Sequence, residues 1–170
     1  MPVNISKLRF TVCFLTYEEQ LLMLKRNKPP NRGLWNGVGG HIEAGETPMA
    51  SCLREVYEET GYQLTEARFC GLLTWSGYEI DDGGLYLFTA PVPTPEFAPT
   101  NEGELAWKSQ NWVFNSPETV SNIHYFGPKI LNGVPPCEYH FDYDGGIIQH
   151  YEILPLPPEI NVTGKSRFSP

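Results

Sequence analysis

The segment from Thr47 to Gly61 constrains the fold of this chain most, because it carries the end signals of one helix. Thr47 can cap the first turn, Pro48 suits the first helical position, and Gly61 suits the left-handed residue that follows a helix. At about 100° per residue, four apolar side chains fall on one side. These are Met49, Leu53, Val56 and Tyr57. The sequence therefore predicts a helix that packs through this side onto another layer.

The same helix presents three carboxylates on another side, at Glu55, Glu58 and Glu59. On an exposed helix, like charges at these spacings repel each other by roughly a few tenths of a kcal/mol per pair. Hard divalent cations such as Mg²⁺ or Mn²⁺ prefer oxygen ligands and suit this set better than zinc does. A solvated acidic helix face is the alternative interpretation.

The residues around the carboxylates indicate how such a site is built. Gly39 and Gly40 let the backbone approach a metal ion or a phosphate closely, with a carbonyl as an additional ligand. Arg54 can reach back to Glu46, which would tie the preceding loop to the helix and hold the ligands in place. Because the formal net charge is −8, an anionic substrate needs a local positive charge. A bound metal ion would supply it.

Apolar alternation predicts strands before and after this segment. The first runs from Lys7 to Leu15, and a turn at 17–20 leads into a returning strand at 21–25. Further strands are predicted at 69–76, 84–90, 105–114, 139–143 and 147–154, the last two forming a hairpin. Ser116 and Pro117 predict a second helix, which runs to about Tyr125 before Gly127-Pro128. Mixed strands with two helices indicate the α+β class, arranged as an α/β/α sandwich.

Composition sets the outer limits. A chain of 170 residues that is 41% hydrophobic fits one domain, which we assign to residues 1–155, with 156–170 as a flexible C-terminal tail. The negative charge argues against a nucleic acid polymer or an anionic membrane as partner. No apolar run is long enough to span a bilayer and no signal pattern is present, so a cytoplasmic location is expected. The four cysteines lack CxxC spacing and are expected to be reduced thiols.

The polar and glycine positions of residues 40–62 resemble the signature of the Nudix hydrolases. They are Gly40, Glu46, Arg54-Glu55-Val56, Glu58-Glu59 and Gly61-Tyr62, where only Tyr62 departs from the aliphatic residue usual in the family. The resemblance implies a Nudix-type α/β/α sandwich with a mixed central sheet and a loop-helix-loop catalytic motif. It also implies cleavage of a nucleoside diphosphate linked to another moiety, with Mg²⁺ or Mn²⁺ as cofactor.

Roles follow from the resemblance, position by position. The implied metal ligands are Gly39, Gly40, Glu55, Glu58, Glu59 and Glu104. Either Glu55 or Glu58 would accept the proton of the attacking water, and the sequence leaves the two open. Arg54 and Glu46 would support them. Glu104 is the candidate for an acid that many members add from a later loop, and Glu102 is its alternative.

The similarity covers about residues 8–154 and extends to the triphosphatases that remove oxidised purine nucleotides such as 8-oxo-dGTP from the precursor pool. It runs through residues 21–26 and 33–40. In that branch the residue matching Asn36 binds the purine, and those matching Thr11 and Arg26 lie near the base or the phosphates. A side-chain amide such as that of Asn36 offers a donor and an acceptor together. Asn36 bonded to its own backbone and Arg26 as a solvated strand charge are the plainer alternatives.

Three departures leave the substrate open. His41 replaces a phosphate-facing lysine and is largely neutral at pH 7. Asn122-Ile123 takes the place of an acidic pair that reads the base. Tyr78 follows the motif where dinucleoside polyphosphate hydrolases carry a tyrosine that stacks on a base, although simple packing would also explain it. We expect a monomer or homodimer that converts a (d)NTP to the monophosphate and pyrophosphate. A dinucleoside polyphosphate or ADP-ribose hydrolase and a non-catalytic nucleotide-binding module are the alternatives.

Overall fold

The structure is a computed structural model that describes residues 3–164. Its strands are β1 (Leu8–Tyr17), β2 (Gln20–Arg26), β3 (Trp35–Asn36), β4 (Val38–His41), β5 (Arg68–Ser76), β6 (Gly83–Pro91), β7 (Gly103–Ser109), β8 (Cys137–Asp144) and β9 (Ile147–Leu154). Its helices are α1 (Pro48–Thr60), α2 (Gln110–Asn115) and α3 (Ile123–Leu131). Within the described residues, no helix is both long and apolar enough to cross a bilayer.

The strands join in one mixed sheet, ordered β3-β2-β1-β6-β5-β8-β9, with β4 beside β1 and β7 beside β2. β1 pairs in parallel with β6, and β5 pairs in parallel with β8. β1 and β2 pair only next to their turn, at 15–17 with 20–22, and then diverge. β4 pairs with β1 and β3 pairs with β2 beyond that point. The chain that leads into α1 therefore starts inside the sheet, which fixes its position.

Two apolar cores lie on opposite faces of the sheet. The core on the α3 face contains Phe14, Phe126 and Tyr139, and the core on the α1 face contains Leu15 and Val56. Buried strand residues alternate between these two cores, as the pleat of a sheet requires. The predicted α+β class, with helices on both faces of a mixed sheet, is confirmed.

The face through which α1 packs differs from the prediction. Val56 is buried as expected, but Tyr57 is 52% exposed, and Cys52, Glu59 and Thr60 are buried in its place. The helix is therefore rotated relative to the face that apolarity alone indicated. One of the three carboxylates predicted to be free lies against the protein interior.

Two elements between β7 and β8 also differ from the prediction. The segment 105–114 is not one strand, because Ser109 Oγ caps a new helix by accepting the Trp112 N–H at 3.1 Å, and α2 follows. The next helix does not begin at Ser116. α3 starts at Ile123 and continues through Pro128 to Leu131. Its apolar residues at helical spacing are buried, which outweighs the cost of about 3 kcal/mol of a proline inside a helix.

Part of the segment assigned to a flexible tail packs on the domain. Ile160 is 8% exposed, and Leu156 and Val162 pack against the core on the α1 face. Val162 also accepts the backbone N–H of Met49 at 2.9 Å, which satisfies a donor in the first turn of α1. The division at residue 155 stays a prediction. Residues 165–170, which belong to the same predicted tail, lie outside the described residues.

Candidate active site

The loop between β4 and α1 is held at both ends. Thr47 Oγ1 accepts the Ala50 N–H at 3.1 Å, and Gly61 adopts the left-handed conformation with φ 82°, as the sequence predicts for the two ends of α1. In the loop, the Glu43 N–H donates to Glu46 Oε1 at 2.8 Å. The glycines of β4 therefore face the C-terminal half of α1, at Glu55 and Glu59, in a fixed geometry.

Arg54 lies at the centre of this arrangement. Its Nε and Nη2 bind the two carboxylate oxygens of Glu46 at 2.7 and 2.9 Å, which is the tie that the sequence suggested. Its Nη1 donates to Glu55 Oε1 at 3.0 Å and to Glu58 Oε2 at 3.1 Å, and Nη2 reaches the carbonyl of His41. The hydrogen bonds from Arg54 lower the pKa of Glu46, and the contact with Glu46 raises the pKa of Arg54. One guanidinium thus links the loop, β4 and two candidate ligands.

The backbone of β4 lies directly against the other carboxylates. The Gly39 N–H donates to Glu59 Oε2 at 2.9 Å. Burial raises the pKa of Glu59 to about 8, against the opposing effect of this hydrogen bond. Burial also raises the pKa of Glu55, although Arg54 opposes it. A Cβ on Gly40 would lie 2.5 Å from Glu55 Oε1, so glycine is required for this approach. The site thus concentrates carboxyl groups where water is partly excluded, which disfavours their charged forms.

These residues fit a hard divalent cation. The potential ligands are carboxylate and backbone carbonyl oxygens, and within residues 3–164 no Lys or Arg forms an ion pair with the buried Glu59. In the same described range no three His, Cys, Asp or Glu side chains are arranged as a metal site. Arg54 Nη1 instead donates hydrogen bonds to both Glu55 and Glu58. The Glu58 side chain is 55% exposed and is free to turn toward a cation. The donor set favours Mg²⁺ or Mn²⁺ over zinc.

The candidate late acid is Glu102 rather than Glu104. Glu102 lines the same polar cavity as Glu55 and Glu58, and its charge adds to the effect of burial in raising the pKa of Glu55. Glu104 does not line that cavity. It is exposed and sits in β7 opposite Lys25, because the strand begins at Gly103 where the sequence suggested a turn. The position of Glu104 therefore favours the alternative, Glu102, and the identity of the late acid stays a prediction.

A separate apolar cavity of about 190 Å³ opens beside the glycines. Aromatic and aliphatic side chains line most of it, including Phe10, Trp75 and Phe126. Its volume is below the roughly 300 Å³ typical of a whole drug-sized ligand, so it suits one part of a larger molecule. A planar ring system matches its apolar walls.

Thr11, Asn36 and Asn122 are three of the polar side chains that border this apolar cavity. Thr11 is 1% exposed, and its Oγ1 has no hydrogen-bond partner among the described residues. Asn36 Oδ1 accepts the Gly37 N–H at 2.8 Å, the local backbone bond that the sequence left as an alternative, while its Nδ2 remains available to a ligand. Asn122, buried, donates from Nδ2 to the Tyr143 hydroxyl at 3.1 Å. The cavity therefore offers neutral donors and acceptors.

Tyr78 lines the apolar cavity, but its contacts are internal. Its hydroxyl donates to Asn31 Oδ1, and its ring centroid lies 4.6 Å from that of Tyr143. Burial raises the pKa of Tyr78 and raises that of Tyr143 to about 12, so both stay neutral. The hydroxyl of Tyr78 thus holds the loop that contains Asn31 in place through a hydrogen bond. The sequence did not indicate this role.

The polar cavity, of about 690 Å³, meets the apolar one along a shared wall. The shared residues are Arg26, Pro29, Gly39, Gly40 and His41. Arg26 Nε donates to the carbonyl of Pro30 at 2.7 Å, so its guanidinium is oriented by the loop rather than loose on the strand. His41 is exposed and its ring lies 4.5 Å from Phe10.

Sequence reasoning missed the loop 27–34 as a cavity wall, and also Tyr143. The prolines of this segment indicate from sequence only a loop after β2, with no role in a site. Its Pro29, Pro30 and Asn31 nevertheless line the apolar cavity. The only sequence signal was indirect, since Arg26 stands at the point where β2 enters the loop. Tyr143 gave no signal because it reads as an ordinary strand residue.

Comparison with known proteins places this fold and site in a family. Residues 7–125 match the NUDIX domain, and the chain belongs to the Nudix family. It is a hydrolase that acts on nucleotide-linked phosphoanhydride bonds. The predicted family, the Nudix-type sandwich and the enzyme class are thereby confirmed.

Individual relatives extend this result. The chain is 29% identical over 135 residues to an uncharacterized Nudix hydrolase, YvcI, of Bacillus subtilis, an alignment that covers 74% of this chain and 84% of that protein. It is 30% identical over 124 residues to the phosphatase NudJ of Escherichia coli, covering 73% and 79%. A MutT protein from Bacillus halodurans has a similar structure, with a TM-score of 0.72, 26% identity and coverage of 88% and 99%.

Proposed function

We propose that this chain hydrolyses a purine (d)NTP, with 8-oxo-dGTP as the candidate oxidised substrate, to the monophosphate and pyrophosphate. One observation carries the proposal: a single apolar cavity with neutral hydrogen-bonding groups joins a polar cavity lined by carboxylates. A molecule with one base and a polyphosphate chain matches this pair of cavities. The MutT neighbour from Bacillus halodurans supports the same class of substrate by analogy alone.

The base would occupy the apolar cavity. Thr11 Oγ1 and the free Nδ2 of Asn36 would bind its polar edge, because each would otherwise remain without a partner when water is excluded. Arg26, at the shared wall, would contact the phosphates. His41 stands at the same wall and would contribute a hydrogen bond more than a charge.

The phosphates would pass over Gly39 and Gly40 to the carboxylates. A bound Mg²⁺ or Mn²⁺ would offset the phosphate charge and lower the pKa of the attacking water. Glu55, Glu58 and Glu59 would hold the cation, with a carbonyl of Gly39 or Gly40. Glu58 or Glu55 would accept the proton of the water while its oxygen bonds to phosphorus and the phosphoanhydride bond breaks. Arg54 keeps both carboxylates oriented.

ADP-ribose or a dinucleoside polyphosphate is the second candidate substrate. The polar cavity is larger than the apolar one and could take a second sugar. A second base would find few rings to stack on, because His41 is the only aromatic side chain among the described residues that line the polar cavity. A non-catalytic binding module is disfavoured, since all three helix carboxylates are retained. A free cytoplasmic nucleotide, not a polymer or a membrane, is the proposed partner of this acidic chain.

A nucleotide panel tests the proposal. dGTP, 8-oxo-dGTP, dATP, ADP-ribose and a dinucleoside polyphosphate are each incubated with the protein and Mg²⁺ or Mn²⁺, and pyrophosphate and monophosphate are quantified. We expect pyrophosphate to be released directly from a purine triphosphate. Turnover of ADP-ribose alone, or of the dinucleotide alone, would instead establish the second candidate.

A further inference from the structure

β9 forms one end of the sheet, and its outer side pairs with no strand among residues 3–164. Five of its eight residues are exposed. An open strand edge presents unpaired N–H and C=O groups that can bind another strand, and proteins commonly protect such edges with Lys or Pro. β9 contains neither residue. A register shift at Asp142/Tyr143 leaves Gln149 as an extra residue in β9 beside His150, and the pairing with β8 is regular from His150 to Leu154.

Large exposed hydrophobic side chains concentrate at this edge. Ile147 is 67% exposed and Ile153 is 47% exposed, and both lie on β9. Tyr125 on α3 is 43% exposed, and its ring centroid lies 5.1 Å from that of Tyr151 on β9. We call Tyr125, Tyr151 and Ile153, which share the α3 face of the sheet, the β9 patch, whereas Ile147 lies on the opposite face. Of the large hydrophobics that are exposed in the described chain, only Tyr57 lies away from this edge. Such clustering marks an interaction surface.

The order of the polar side chains on β9 identifies the partner. His150 and Glu152 share the other face of the strand, with His150 Nε2 3.9 Å from Glu152 Oε2. When two copies of β9 pair antiparallel about a two-fold axis at Tyr151, His150 of each faces Glu152 of the other. An axis at Glu152 places two glutamates opposite each other, and an axis at His150 places two histidines there. Two carboxylates directly opposite each other are destabilising, whereas an imidazole N–H opposite a carboxylate can donate a hydrogen bond to it.

We propose that the β9 edge binds β9 of a second copy of this chain, antiparallel about Tyr151, to form a symmetric dimer with one continuous sheet. Self-complementarity is the requirement for such an interface, and the order of His150 and Glu152 around Tyr151 satisfies it. In this register the β9 patches of the two copies meet on one face of the sheet. No residue of β9 lines either cavity, so the active site stays open in the dimer.

Sedimentation velocity of the full chain over a range of concentrations tests the proposal. We expect a concentration-dependent dimer, and Ile153→Lys should weaken it at least tenfold because the change buries a charge in the β9 patch. Tyr57→Lys, at the one exposed large hydrophobic of the described chain that lies away from the β9 edge, is the matched control and should leave the dimer unchanged. A wild-type chain that is monomeric throughout, or equal behaviour of the two variants, overturns the proposal.

A charge exchange tests the register without altering the apolar surface. His150→Glu should weaken the dimer, because the new carboxylate at residue 150 of each copy then faces Glu152 of the other copy. The double variant His150→Glu/Glu152→Lys should restore the dimer, since residues 150 and 152, which face each other across the interface, then carry opposite charges. An axis at Glu152 predicts no restoration, so failure of the double variant overturns the proposed register. Circular dichroism of each variant checks that the chain is folded.

Discussion

Three neighbouring carboxylates on α1 occupy three different environments. Glu58 is largely exposed, Glu55 is half buried beside Arg54, and Glu59 is buried with one hydrogen bond from Gly39. The sequence predicted that these residues share a stripe, because helical spacing depends only on position. It could not predict their burial, which depends on where β4 passes. Glu58 is therefore the carboxylate whose charge can be removed with the least effect on packing.

Glu58→Gln should lower kcat by about 10²–10⁴-fold, because it removes a carboxylate from the proton-accepting and cation-holding group. Nucleotide binding, measured by calorimetry, should persist. Glu104→Gln is the matched control and should retain full activity, since Glu104 is exposed outside the polar cavity. Glu102→Gln should lower activity. Loss of activity in Glu104→Gln with full activity in Glu102→Gln would show that Glu104, not Glu102, is the late acid.

Tyr78→Phe separates two roles of the same ring. If Tyr78 fastens the loop through Asn31, loss of the hydroxyl should raise KM about 2- to 10-fold, the equivalent of one net hydrogen bond, with little change in kcat. If the ring stacks on a base, phenylalanine preserves it and KM stays the same. Steady-state kinetics on the best substrate of the panel distinguishes the two.

At the scale of elements, the residues that cap α1 predicted its bounds better than the apolar periodicity predicted its buried face. Thr47, Pro48 and Gly61 defined α1 correctly at both ends, because each satisfies a local backbone requirement. Local signals failed at Ser116, whose hydroxyl accepts the Glu118 N–H in a turn instead of starting a helix. They failed again at Pro128, where burial of α3 outweighs the local penalty. Such outcomes depend on contacts between distant parts of the chain, which one sequence does not display.

The segment after β9 provides a test at this scale. Ile160→Ala should lower the free energy of unfolding by about 2–4 kcal/mol, because Ile160 is 8% exposed within the core on the α1 face. Glu159→Ala, at the exposed neighbouring position, should change it by less than about 0.5 kcal/mol. Urea unfolding followed by tryptophan fluorescence gives both values. Equal stabilities would mean that this segment is a loose tail, as the sequence suggested.

At the scale of the whole molecule, negative charge dominates the site. The chain carries a formal net charge of −8, and of the residues that the structure describes only Arg54 forms ion pairs with the candidate ligands Glu55 and Glu58. A cation that binds the native state alone stabilises it by about 2.7 kcal/mol at a hundredfold excess over Kd. The metal should therefore act on folding stability as well as on catalysis.

Mn²⁺ or Mg²⁺ should raise Tm by about 5–10 °C relative to chelator-treated protein, at a hundredfold excess over Kd. The shift should shrink in Glu58→Gln and remain complete in Glu104→Gln, and chelation should abolish turnover. Differential scanning calorimetry measures the first effect and the nucleotide assay the second. Full activity after chelation would contradict the metal-dependent function, whatever the thermal shift.

The wall that the two cavities share has a consequence for how this enzyme can diversify. Among residues 3–164 only Arg26, Pro29, Gly39, Gly40 and His41 belong to both chambers, so under the proposed function most side chains that meet the base do not meet the bond that is cut. Substitutions at positions such as Asn36 or Asn122 can therefore alter the preferred nucleobase while hydrolysis proceeds by the same chemistry. If the apolar chamber holds the base as proposed, recognition and cleavage use largely separate residues, and a library confined to that chamber is the economical route to new substrates.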